Sequence, residues 1–127
     1  MGVRRAFVVA GCLVAVWTAA DVLDARSTAS PCAATILDGE IGGYGYEPYI
    51  DGADGEKGPF QLHPLGKLPV FVAWARARGE DPDPHNPWQT LVFVEEQIAA
   101  GQGYHWSTAP PRCRFGALWQ ADGLRAA

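Results

Sequence analysis

Residues 38–64, DGEIGGYGYEPYIDGADGEKGPFQLHP, hold seven of the chain's fifteen glycines. Residues 42–58 carry too many glycines and turn residues to continue a helix, because an interior glycine costs about 1 kcal/mol relative to alanine. Any helices must therefore stand on either side of a long irregular connection. Asp51-Gly52 and Asp54-Gly55 are turn signals that could close a small hairpin or irregular β segment within it. Asp38, Glu47, Asp51, Asp54 and Glu56 crowd around or after Glu40. Such a cluster is ordinarily a solvated face. It lacks the alternating offsets and closing glutamate of a calcium loop.

The flanks read as helices. Ser30-Pro31 supplies an N-cap and a first-turn proline. Ala33, Ile36 and Leu37 then give that helix one apolar face, and Gly39, Gly42 and Gly43 stop it soon after Glu40. From 68 to 78 the spacing predicts a second helix, with Pro69 in its first turn, Phe71, Val72, Trp74 and Ala75 as apolar positions, and Gly79 as the stop. A rigid polar linker follows. Asn86-Pro87 opens a third helix over 88–100, with Leu91, Val92, Val94 and Ile98 at helical spacing and Gly101 at its end. Phe71, Trp74 and Trp88 read as core. Residues 102–113 form a Gly/Pro-bounded loop with Tyr104, His105 and Trp106, and Phe115, Leu118 and Trp119 suggest a short docked helix before a frayed end. The fold class expected is mainly α.

The amino-terminal part has a different character. Arg4 and Arg5 precede an uncharged, mostly apolar run at 6–20, and small residues follow. That order describes a secretory signal, and the run is shorter than the roughly 18 residues of a spanning helix. Residues 1–29 are therefore expected to be a signal peptide, with an uncleaved membrane anchor through 6–20 as the rival, and residues 30–127 to be the domain. Cys12 sits inside the signal segment. The expected location is secreted, periplasmic or cell-wall.

Without residues 1–29 the chain has 7 basic and 12 acidic residues, net −5. Phosphate binding needs a basic face, so nucleic acid is not an expected partner. Cys32 and Cys113 remain, at opposite ends of the domain. In an oxidising compartment a bridge between them would stabilise so small a core by roughly 3–5 kcal/mol; the alternative is two unpaired buried thiols. Neither these cysteines nor the three histidines show metal-ligand spacing, so no metal is expected.

At Glu40, at the run GPFQLHP (58–64) and at GYHWST (103–108) the sequence resembles the lysozyme-like superfamily, and within it the small bacterial lytic transglycosylase and goose-type lysozyme domains. Those domains carry a catalytic glutamate at a helix end, a glycine-containing loop, and a Gly-x-x-Gln motif before the next helix. Gly58-Pro-Phe-Gln61 fits that motif. The resemblance spans residues 32–113 and departs from the family in one respect: Glu40 lies farther from the glutamine than is usual, and counting back lands on Gly43. Roughly three extra residues in the Gly-Gly-Tyr-Gly loop accommodate this, because closure entropy grows slowly with loop length. Glu47 is the alternative acid.

What the resemblance implies is a lysozyme-like helical domain that cuts the MurNAc–GlcNAc bond of peptidoglycan strands, acting as a monomer with no cofactor. Glycoside cleavage needs a proton donor to the leaving oxygen, and a carboxylic acid kept protonated near neutral pH can serve. Glu40 takes that role, with Tyr44, Tyr46 and Tyr49 as nearby groups that could bury it. A hydrolase normally wants a second carboxylate, for which Asp51, Asp54 and Glu56 are available; a transglycosylase needs one acid only. Gly58, Phe60, Gln61, Tyr46, Tyr104 and Trp106 are the expected substrate-binding residues: Gln61 as a hydrogen-bonding group, Phe60 in the cleft floor, Tyr104 and Trp106 as stacking platforms. Gln61 could equally tie its loop down, and His63 reads as structural. The alternative function is a catalytically inactive module of the same fold that binds cell-wall glycan or a wall-associated partner.

Overall fold

The computed structural model describes residues 5–9 and 12–115. A hairpin opens the chain: β1 (Arg5–Val9) runs antiparallel to β2 (Cys12–Val16), with Arg5 opposite Val16 and Val9 opposite Cys12. Four helices follow, α1 (Ala19–Thr28), α2 (Pro31–Ile41), α3 (Lys67–Ala77) and α4 (Pro87–Ala99). The architecture is mainly α, as the helical spacing predicts. Short 3₁₀ turns sit at Gly42–Tyr44, Gly103–His105 and Pro111–Cys113.

The caps act as their residue types dictate. The Ser30 hydroxyl oxygen accepts the Ala33 N–H at 3.2 Å, and Asn86 Oδ1 accepts the Trp88 and Gln89 N–H groups at 2.9 and 3.2 Å. Each satisfies donors that a helix start would otherwise strand. Gly79 and Gly101, just past α3 and α4, take φ of +74° and +80°, the left-handed geometry glycine adopts without penalty.

α1 packs against α2 and α4. Its Val22 and Ala25 share one buried cluster with Ala33, Ile36, Leu37 and Ile41 of α2, Phe71 of α3, and Leu91, Phe93, Val94 and Ile98 of α4. The expected domain start at residue 30 thus falls between two helices of the same core. Thr18 caps α1 reciprocally: its Oγ1 accepts the Asp21 N–H at 3.3 Å while Asp21 Oδ2 accepts the Thr18 N–H at 2.8 Å. Just before it, the Trp17 N–H donates to the Tyr49 hydroxyl at 3.0 Å and its indole N–H to Asp83 at 2.9 Å. These bonds tie the entry to α1 to the loops after α2 and before α4. The apolar run at 6–20 covers most of the hairpin and the first residues of α1, and among the described residues no helix is long and apolar enough to cross a membrane. The basic start at residues 1–4 and the expected helix beyond Phe115 lie outside the described residues.

Cys32, in the first turn of α2, and Cys113 are bridged, with Cα atoms 5.6 Å apart and a sequence separation of 81. The bridge fastens the 102–115 segment to the start of α2.

Candidate functional site

α2 ends at Ile41, just before the Gly42-Gly43 pair. Past Ile41 the chain makes a single 3₁₀ turn, and the Tyr46 N–H reaches back to the Ile41 carbonyl at 3.2 Å. Tyr46 takes φ +61°, a left-handed conformation costing a non-glycine residue about 1–2 kcal/mol. Its hydroxyl, donating to Asp38 at 2.9 Å, helps hold it there. This turn leaves Glu40 in the last turn of α2, facing a cleft of about 490 Å³. Tyr44, Gly52, Ala53, Glu56, Gln61, His63, Lys67, His105 and Trp106 are among the residues that line it.

Of the GPFQ run only Gln61 stands in the cleft wall. Lys57 and Leu62 exchange backbone hydrogen bonds at 3.1 and 2.9 Å, so residues 58–61 form the loop of a minimal hairpin. A Cβ on Gly58 would sit 1.7 Å from the Pro84 carbonyl oxygen, which explains the glycine. Gln61 takes φ +48° and spends both amide hydrogens on the chain, donating to the Ile50 and Gly58 carbonyls at 2.8 Å each. Of its two roles weighed from sequence, tying the loop down is the one its N–H groups perform. Only its carbonyl oxygen is left for a ligand.

Glu40 is half-buried and has no cationic partner among the described ion pairs. Burial pushes its carboxyl above the ordinary glutamate value, and the charge of Glu56 adds to the rise. The Thr108 hydroxyl, donating to Glu40 Oε1 at 3.2 Å, opposes it. Thr108 can come this close because its neighbour on α2 is Gly39, where a Cβ would lie 2.6 Å from Thr108 Cβ. Gly52 has the same function across the cleft, since a Cβ there would overlap Glu56 Oε2 at 1.9 Å. A carboxyl biased toward its protonated form beside a second carboxylate can donate a proton to a ligand oxygen and take one back.

The other expected site residues are placed as follows. Trp106 lines the cleft but is 4% exposed, its indole N–H donating to the Phe60 carbonyl at 2.9 Å. Phe60 is 1% exposed and belongs to the core, so its side chain supports the cleft from behind. Tyr104 is 48% exposed, stacks on His105 with centroids 4.3 Å apart, and is not in the cleft wall. Tyr46 and Glu47 lie outside the wall too; Glu47 is exposed and accepts the Tyr49 N–H at 3.1 Å. Glu40, Gln61 and Trp106 are therefore brought together, while Glu47, Tyr46, Gly58, Phe60 and Tyr104 are not.

Lys67, which the sequence does not single out, and His105, named in the 102–113 loop, both line the cleft. Burial lowers the His105 pKa and the nearby Lys67 charge lowers it further. Asp54, Glu56 and His63 place one ligand atom each within 4.8 Å of one another, the one grouping of metal-binding type among the described residues. His63 Nδ1 already accepts the Leu65 N–H at 3.0 Å and Glu56 Oε2 the Asp54 N–H at 3.1 Å. No family model matches the chain, and no curated protein and no solved structure matches it either.

Proposed function

We propose that this chain is an exported enzyme that cuts the MurNAc–GlcNAc bond of peptidoglycan, with Glu40 as general acid and base. The observation that carries the reading is Glu40 itself: a half-buried glutamate at a helix end, on a cleft wall, without a cation, and shifted toward its protonated form. Protonation of the bridging oxygen breaks the bond to the leaving sugar, and the resulting carboxylate then accepts a proton from the attacking hydroxyl. The lysozyme-like resemblance at Glu40, 58–64 and 103–108 supplies the substrate class.

Two product outcomes fit this cleft. In a lytic transglycosylase the muramyl 6-hydroxyl attacks and Glu40 suffices. In a hydrolase a water attacks, and Glu56 on the same cleft is the available second carboxylate. The test is mass spectrometry of soluble products after incubating the full chain with purified sacculi. Anhydro-muropeptides identify the transglycosylase, and reducing-end products, heavier by one water, identify the hydrolase. Glu40→Gln should release neither while still binding sacculi. A folded parent protein that releases nothing from several wall types overturns the enzyme reading and leaves a glycan-binding module.

A further inference from the structure

We propose that Lys67 is a recognition residue for a carboxylate carried by the bound glycan. This rests on the reading of the cleft as a glycan site, but not on that site being catalytic.

Lys67 opens α3 and is only 8% exposed, yet it lines the cleft. Its ammonium donates to two neutral oxygens, Gln97 Oε1 at 2.5 Å and Gln102 Oε1 at 3.5 Å. No carboxylate lies within ion-pair distance of it among the described residues. An ammonium has three hydrogens to give, so at least one is left over. Burying a charge without a counter-charge is costly, and a methionine or leucine would fill the same space more cheaply. Burial is also the cause of the downward shift of its pKa.

The backbone adds to the same field. Lys67 is the first residue of an eleven-residue helix whose N-cap, Gly66, has no side chain to offer. The positive end of the α3 dipole lies at this residue, although the Leu68 N–H is already taken by the His63 carbonyl at 2.9 Å and Pro69 has none to give. Gly66 and His63 complete this end of the cleft, and His105 stands close enough to feel the charge. An anionic substituent entering here would supply the missing counter-charge, whereas near Glu56 it would be repelled. On a peptidoglycan strand a carboxylate has two sources: the lactyl ether of a muramic residue without its peptide, and the peptide stem where it is attached.

The experiment is calorimetric titration of Glu40→Gln protein, used so that no ligand is consumed. The ligands are three soluble saccharides of equal length: a neutral chitooligosaccharide, a GlcNAc–MurNAc oligomer with free lactyl carboxylates, and the same oligomer bearing peptide stems. At least one acidic ligand should bind roughly tenfold more tightly than the neutral one, the scale of one charge-assisted hydrogen bond. Which of the two does so identifies the source. Adding Lys67→Met should abolish that preference, and Lys67→Arg should keep it. Should Lys67→Met not fold, Lys67→Gln, which keeps length and polarity, takes its place. No preference in the parent, or an equal preference after loss of Lys67, overturns the assignment. A preference that depends on Lys67 in a protein that never cuts sacculi would uphold it while ending the enzyme reading.

Discussion

Asp38 and Glu40 stand two residues apart on α2, about 200° apart around its axis, and their pKa values are shifted in opposite directions. Asp38 faces Arg26 of α1, which donates through Nε at 2.7 Å and Nη2 at 2.6 Å, and it also accepts the Tyr46 hydroxyl. The Arg26 hydrogen bond is the main cause of its lowered pKa. Glu40 faces the cleft with one hydroxyl and a second carboxylate for company, and its pKa is raised. One acid joins elements together; the other is kept short of partners. The comparison teaches that helix position says little about an acid: Asp38 is set by the cation it meets, Glu40 by its burial.

The pH consequences have opposite signs. Asp38 is ionised more readily in the folded state, so its contribution is present above its ordinary value of 3.8 and lost as pH falls through the lowered one. Glu40 is protonated more readily when folded. Its contribution is complete below 4.5 and lost as pH rises through the raised value.

The largest effect expected from breaking this asymmetry is on activity. Glu40→Gln should lower kcat/KM on sacculi by roughly 10²–10⁴-fold, the range for a general acid. The same variant should melt higher than the parent at pH 7, because the ionised native form is no longer penalised, and that gain should vanish in acid. Next comes the bridge that fastens the Thr108 segment to α2. Cys32→Ser with Cys113→Ser should cost roughly 3–5 kcal/mol in denaturant titration. Gly39→Ala pushes a Cβ into Thr108 and should cost about 1–3 kcal/mol, the scale of overpacking. Because Thr108 must move, the pH profile of activity should shift with it, which a stability loss alone would not cause. Thr108→Val removes the hydroxyl that favours the Glu40 carboxylate, so the alkaline limb of that profile should move to higher pH. Smallest is Asp38→Asn. Its bidentate pair with Arg26 is more than a third exposed on both sides, so the loss should be no more than about 1 kcal/mol and should shrink in high salt.

Much of the fold was legible because its signals are local. Ser30-Pro31 and Asn86-Pro87 marked helix starts that α2 and α4 reproduce, and Gly79 and Gly101 marked the ends of α3 and α4. α1 was missed although Thr18-x-x-Asp21 is a capping pattern, because it directly follows an apolar run that reads as an export signal. Of the cleft, Glu40, Gln61 and Trp106 could be found from spacing and resemblance. Lys67 could not: a lysine just after a Pro-Leu-Gly turn looks solvated, and its burial depends on Gln97 and Gln102, some thirty residues on. Phe60, expected in the cleft floor, is turned into the core, and of the two roles open to Gln61 its amide hydrogens take the one on backbone carbonyls.

The claim on which this account rests is that Glu40 is carried toward its protonated form while Asp38 is not. Carboxyl-carbon NMR of the labelled protein, titrated from acid to neutral and assigned with Glu40→Gln and Asp38→Asn, reads both groups in one experiment. The account predicts a Glu40 midpoint above 4.5 and an Asp38 midpoint below 3.8. A Glu40 midpoint at or below 4.5 would contradict it, since an acid ionised that readily is a solvated helix-end residue rather than a proton donor.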